Sequence, residues 1–290
     1  MVVFHDARCA EYGSSLRPEQ PARILRTVPH LQTAHPGWTW RTSPPADDAT
    51  CGLAHTVAHL QRLEHGPDFD EDTPYFPNLL AHARRAAGSA VAAAEAAVAG
   101  ERAFSLMRPP GHHATADQAM GFCYLNSIAI AALHVLAQGL VKRVAVWDFD
   151  AHHGNGTEAI MGGRPGCLFA SVHQSPAYPG TGLVSTGNCR NWPIAPRAPR
   201  PQHLEALRAS LDTVIAFDPD LVLVSAGFDA FVRDPITAMS LEMDDFATLG
   251  AWLRASARPA AAMLEGGYSA DLPHLVDAFL TAWSGEGRTG

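Results

Sequence analysis

Short, mostly unbroken apolar runs alternate along the chain with longer stretches of helical period. The runs Ala103–Met107, Arg143–Asp148, Cys167–His173, Asp220–Ala226 and Ala260–Leu264 have the character of strands buried on both faces. Between and around them, Leu79–Ala99, Leu125–Gln138, His203–Phe217, Met243–Ala257 and Leu272–Trp283 predict helices. This alternation predicts an α/β fold, a central and mostly parallel sheet flanked by helices, with residues 1–290 as a single domain. The first 80 residues are less regular. Arg17–Arg26 and Thr50–His65 read as helices, Pro67–Pro77 as an exposed acidic loop, and Thr186–Arg200 as a structureless, proline-containing connection.

Composition narrows the function classes. With 47% hydrophobic and 17% charged residues, the 290-residue chain has the balance of a globular protein with a sizeable core. A net charge of −8 gives no bulk electrostatic basis for binding nucleic acid or an anionic membrane. The apolar stretch 125–140 carries Asn126, Ser127, His134 and Gln138 and is too polar to span a bilayer. The five cysteines are odd in number and form no CxxC pair, which argues against a disulfide framework. The N-terminal MVVFHDARCAEYG shows no basic then apolar signal-peptide pattern, so a cytoplasmic setting is expected. The alanines of 81–99 would suit a packed helix or an oligomer contact, and the sequence does not specify an oligomeric state.

The polar groups follow directly after the strands: Arg108–His113, Trp147–His153, Ser225–Asp229 and Glu265–Tyr268. In an α/β sheet the carboxyl ends of the strands line the ligand crevice, so four segments would deliver polar groups to one edge. Asp148, Asp150 and His152 alternate and would share one side of an extended chain. Carboxylate and imidazole together suit a borderline metal such as zinc, and Asp229 could complete a three-ligand site with a position left for water. The same residues could equally form a hydrogen-bonded cluster capping strand ends. His112 and His113 follow the rigid Pro109-Pro110-Gly111 turn and could exchange protons near neutral pH, or could simply be exposed loop histidines. Tyr268, after two glycines, could donate a hydrogen bond to a carbonyl oxygen, or could be structural. HHGNGT (152–157) lacks both the lysine and the spacing of a nucleotide loop.

Eight segments, taken in order, resemble the histone deacetylase superfamily, especially class II histone deacetylases and bacterial histone deacetylase-like amidohydrolases. They are RPEQPARI (17–24), DEDTP (70–74), RPPGHHA (108–114), GFCYLN (121–126), WDFDAHHGNGT (147–157), SVHQSPAYPGTG (171–182), LVLVSAGFDA (221–230) and EGGY (265–268). The resemblance implies the arginase/deacetylase fold and a zinc-dependent hydrolysis of acyl-lysine or a related acylamide. It implies one zinc on Asp150, His152 and Asp229, with His112 as base and His113 as acid, oriented by Asp148 and Asn155. Tyr268 would polarise the substrate carbonyl, Gly121, Phe122 and Tyr178 would line the acyl tunnel, and Asp72 would hold the substrate backbone at the rim. A structural potassium ion would draw on Asp148, Ser171 and nearby carbonyls.

Three rivals make different demands. A two-manganese ureohydrolase needs extra carboxylates, but Gly154 and Gly227 stand where they would be. An acetylpolyamine amidohydrolase on the same scaffold is expected to carry a carboxylate gatekeeper, where this chain has Ile236. A non-catalytic acyl-lysine-binding protein would be expected to lack Tyr268 or a metal ligand, and all are present. Two loops, LVSTGNCRNW (183–192) and FVRDPITAMSL (231–241), depart from the family pattern beside the expected pocket.

Overall fold

The computed structural model describes residues 1–285 of the chain. The strands are β1 (Val2–Phe4), β2 (Thr39–Arg41), β3 (Ala103–Ser105), β4 (Val144–Asp148), β5 (Cys167–Gln174), β6 (Cys189–Ile194), β7 (Leu221–Ala226) and β8 (Ala260–Leu264). The α-helices are α1 (Ala22–Ala34), α2 (Asp48–Cys51), α3 (Val57–His65), α4 (Leu79–Val98), α5 (Ser127–Ala137), α6 (Asn155–Met161), α7 (Arg200–Ala216), α8 (Met243–Ala255) and α9 (Leu272–Ser284). The strands form one sheet in the order β2-β1-β3-β8-β7-β4-β5-β6. Every neighbouring pair is parallel.

The pleat divides the apolar strand residues between two cores. Ala145 and Trp147 of β4, with Val222 and Val224 of β7, join Phe246, Phe279 and Trp283 of α8 and α9. Val144, Val146, Leu221 and Leu223 point the other way, onto Ala90–Ala97 of α4 and Ile128–Val135 of α5. The alanines of α4 are therefore packing residues, letting the helix lie close to α5 and the sheet. At Gly88 the helix meets the segment that leads into α2: a Cβ there would stand 2.0 Å from the carbonyl oxygen of Pro44.

The five strands expected from sequence are five consecutive neighbours at the centre of this sheet. Three expectations change. The supposed structureless connection holds β6, whose Pro193 and half-exposed residues suit its position at the sheet edge. Helix α1 begins at Ala22 rather than Arg17, because Pro18 and Pro21 delay it. Thr50–His65 is two helices, α2 and α3, separated by a turn that runs from Gly52 to the N-cap Thr56, whose hydroxyl accepts the amide of His59. HHGNGT opens a helix, α6, at Asn155. No helix among the described residues is long and apolar enough to cross a membrane. All five cysteines are buried free thiols.

Candidate active site

Strand β4 ends at Asp148, and the turn beyond it carries Asp150, His152 and His153. The neighbouring β7 leads to Asp229, and β8 leads to Glu265 and Tyr268. One ligand atom from each of Asp150, His152 and Asp229 lies within 4.8 Å of the others. His152 Nδ1 stands 2.8 Å from Asp229 Oδ2 and 3.3 Å from Asp150 Oδ1. The other carboxylate oxygens are held by backbone amides: Asp150 Oδ2 accepts from Gly266 (2.7 Å) and Asp229 Oδ1 accepts from Ala151 (2.8 Å).

This donor set fits a divalent metal ion. Two buried carboxylates converge on one imidazole nitrogen, and they need a cation between them to offset their repulsion and lost hydration. Without a metal, that cation is a proton. Burial opposes protonation of His152, but the charge of Asp229 and the bonds to both aspartates raise its pKa well above the usual range. The two glycines that stand where a second metal would need carboxylates are tightly packed: a Cβ on Gly154 would lie 2.2 Å from Asp148 Oδ2, and one on Gly227 would lie 2.0 Å from Asp150 Oδ2.

The two histidines sit on the turn after β3, with ring centroids 4.0 Å apart. Their partners differ in charge. His112 Nδ1 lies 3.0 Å from Asp148 Oδ2, whereas His113 Nδ1 donates to the neutral Oδ1 of Asn155 at 2.8 Å. Burial resists protonation of His112, but the charges of Asp150, Asp148 and Glu265 outweigh it and push its pKa up to about 10. Burial, reinforced by His112 and His152, holds His113 well below the ordinary value. Two adjacent imidazoles are thus set apart in basicity by their surroundings.

A cavity of about 220 Å³ opens above these groups and is lined by His113, His152, Tyr268, Gly121, Phe122, Tyr178, Asp72 and Ile236, with Pro18. Tyr178 stands edge-on to His113 with centroids 5.2 Å apart, and Phe122 edge-on to Tyr268 at 5.7 Å. Gly121 has φ +56°, and a Cβ there would meet His113 Cδ2 at 2.6 Å, so only glycine lets the wall approach the histidine. The Phe122 amide donates to Thr73 Oγ1 (3.1 Å), which ties the acidic loop to the cavity wall. Burial raises the Tyr268 pKa well above the usual phenol range, so this side chain is a neutral hydrogen-bond donor.

Every site residue expected from sequence lies at this cavity or against the groups that form it, apart from Ser171. Ser171 is the register partner of Asp148 across β4 and β5, and its hydroxyl pairs with His173 Nδ1 at 2.9 Å. Sequence reasoning assigned no role to Glu265, Arg23 or Asp234. Glu265 Oε2 accepts the amides of Gly111 (2.7 Å) and His112 (3.2 Å), and burial pushes its pKa up to about 7. Arg23 donates to the Gly267 carbonyl (2.8 Å) and sets its guanidinium 4.8 Å from the Tyr268 ring centre. Arg23 and Glu265 fall within the quoted motifs RPEQPARI and EGGY, and Glu265 is also among the polar groups that follow a strand end.

A parallel sheet that brings a carboxylate–imidazole cluster able to hold a metal ion, and a pair of histidines, to its carboxyl edge has the layout of a hydrolase site. A family model for the histone deacetylase domain matches residues 17–282. A histone deacetylase-like amidohydrolase of Pseudomonas aeruginosa is 39% identical over 250 residues, covering 79% of this chain and 66% of that protein. The crystal structure of the HDA15 HD domain superposes with a TM-score of 0.91 at 30% identity, over 99% of this chain and 91% of that one. An acetylpolyamine aminohydrolase from Burkholderia pseudomallei superposes with a TM-score of 0.85 at 27% identity, over 98% of both chains. The chain belongs to the histone deacetylase family.

Proposed function

We propose that the protein is a zinc-dependent amidohydrolase that cleaves the acyl amide of acyl-lysine, or of a related linear acylamide, to a free amine and a carboxylate. One observation carries this reading: the Asp150–His152–Asp229 cluster, two histidines of unlike basicity and a neutral phenol meet at the foot of one narrow cavity. Residues 1–290 are taken as one catalytic domain, of which 286–290 lie outside the described residues.

Asp150, His152 and Asp229 would hold one zinc ion per chain. When bound, such an ion supplies a Lewis acid and offsets the negative charge of the site. Tyr268 donates its phenolic proton in a hydrogen bond to the acyl oxygen, strengthening as charge develops there. His113, neutral and with its Nδ1 proton engaged by Asn155, takes a proton at Nε2 from the attacking water, whose oxygen bonds to the acyl carbon. The same Nε2 then returns that proton to the departing nitrogen as the carbon–nitrogen bond breaks, while His112, held by Asp148 and kept protonated by the surrounding carboxylates, offsets the developing negative charge, in place of the division between the two histidines expected from sequence. Gly121, Phe122 and Tyr178 enclose the alkyl chain, and Asp72 at the rim receives the substrate backbone. A structural potassium ion at Asp148 and Ser171 is supported by their pairing across adjacent strands.

Acetylpolyamine hydrolysis is the alternative chemistry on this scaffold. Ile236 at the cavity mouth offers no charge to a second ammonium group, which favours the acyl-lysine reading. The test is hydrolysis of a fluorogenic acetyl-lysine amide beside acetylputrescine by zinc-loaded protein, with Tyr268→Phe and His113→Ala as controls. Turnover of the lysine substrate, strongly reduced in both variants and lost on chelation, is the expected result. Turnover of acetylputrescine alone would overturn the substrate assignment, and no bound metal would overturn the mechanism.

A further inference from the structure

Between β7 and α8 the chain passes the cavity mouth in a loop, Phe231–Leu241, that is fastened at three points. Asp234 accepts two backbone amides, that of Tyr268 at Oδ2 (2.7 Å) and that of Ile236 at Oδ1 (3.1 Å). The Thr237 hydroxyl donates to the carbonyl of Asp229. The amide of Ala238 donates to Gln174 Oε1 (2.7 Å) at the end of β5. A single loop thus bridges the carboxyl ends of β5, β7 and β8, and it carries Ile236 at the mouth.

Asp234 is 6% exposed, and among the described residues no basic side chain forms an ion pair with it. The adjacent Arg233 pairs instead with Asp271 at 3.1 Å. A buried carboxylate without a cation is costly unless its oxygens are filled by donors. Here both oxygens are filled, each by an amide of a different segment. Asparagine could serve only one of them, since its NH₂ would face the other amide. Tyr268 is held from the opposite side by Arg23, which binds the preceding carbonyl of Gly267 and lies over the ring.

We infer that Asp234 is a positioning residue that locks Tyr268 and Ile236 into one unit, so that the carbonyl-polarising phenol and the side chain at the cavity mouth keep a fixed relation. The inference rests on the role proposed for Tyr268. Carboxylate geometry at Asp234 then governs turnover through Tyr268.

Two readouts on metal-loaded full-length protein test it. Amide hydrogen exchange in wild type, Asp234→Ala and Asp234→Asn should show protection at Tyr268 and Ile236 falling together, about tenfold or more, in Asp234→Ala. In Asp234→Asn it should fall at one of the two, while β4 and β5 stay protected. For acetyl-lysine amide, Asp234→Ala should lower kcat about tenfold or more with KM within about twofold. In a Tyr268→Phe background the same substitution should change the residual kcat by less than about twofold. Equal losses in both backgrounds, or unchanged protection at Tyr268, would overturn the inference. If Asp234→Ala does not fold, the isosteric Asp234→Asn decides through the exchange measurement. If wild type cleaves no acylamide, the deacetylase reading fails, and hydrogen exchange alone still decides whether Asp234 joins the two segments.

Discussion

Asp150 Oδ2 lies 2.0 Å from the point where a Cβ on Gly227 would stand. Gly227 precedes Asp229 by two residues, the place where a ligand for a second metal would be needed. The same oxygen already accepts the amide of Gly266. The Asp150 carboxylate is therefore seated in a socket of backbone, and the socket exists only because glycine forms it.

Gly227→Ala should act as an overpacking substitution. We expect a loss of about 1–3 kcal/mol of stability and weaker zinc retention, measured by thermal melting and by dialysis against a chelator. A Gly227→Asp protein that folded and bound two metal ions would contradict the single-metal geometry.

Asn155 differs from Asp148 in charge but plays the same geometric part, fixing an imidazole through Nδ1. Asn155→Ala should leave His113 free to turn and lower kcat by about ten- to a hundredfold, the usual cost of losing a supporting partner in a metal site. Zinc content, measured alongside, should remain at the wild-type level. Loss of metal with no separate fall in kcat would contradict this assignment.

Ile236 is the side chain through which the mouth should discriminate amines. Introducing a carboxylate by Ile236→Glu should raise the ratio of kcat/KM for acetylputrescine over acetyl-lysine amide about tenfold, equivalent to roughly 1.4 kcal/mol. The two substrates in parallel assays measure it. An unchanged ratio would remove Ile236 from the specificity account.

Acid should destabilise the fold through buried histidines outside the Asp150–His152–Asp229 cluster. His55 Nε2 accepts the amide of Asn126 at 2.8 Å, which requires a neutral ring. Burial, aided by His59, pulls its pKa down to about 3, and burial pulls His203 down to about 4. Both return to about 6.5 when the chain unfolds. Between these values the unfolded chain binds protons that the native state refuses, so stability is full above about pH 6.5 and falls as pH falls. Each group contributes up to roughly 1.4 kcal/mol per pH unit in that window. Urea unfolding at pH 7, 6 and 5 should show the decline, and His203→Leu should flatten it. A His203→Leu slope equal to wild type would contradict the assignment.

How much of this was legible depends on where each residue sits. The strands β3, β4, β5, β7 and β8 are buried on both faces and write themselves as apolar runs. Strand β1 is a run of only three apolar residues, whereas that of β3 continues through buried Leu106 and Met107; β2 is exposed or half-exposed throughout, and β6 alternates buried and half-exposed residues at the edge. The Asp150–His152–Asp229 cluster and the paired histidines were legible because they follow strand ends in recognisable segments. Asp234 and Glu265 act by holding backbone amides of distant segments, Tyr268 for the one and Gly111 and His112 for the other. A carboxylate that grips main chain carries no partner residue type for a sequence to reveal.

The most direct test is a zinc titration of metal-stripped protein, following hydrolysis of acetyl-lysine amide against zinc bound per chain. The account predicts a linear rise in rate that stops at one zinc per chain and is absent when Asp229 is replaced by alanine. Turnover that persists without metal, or that requires two ions per chain, would contradict it.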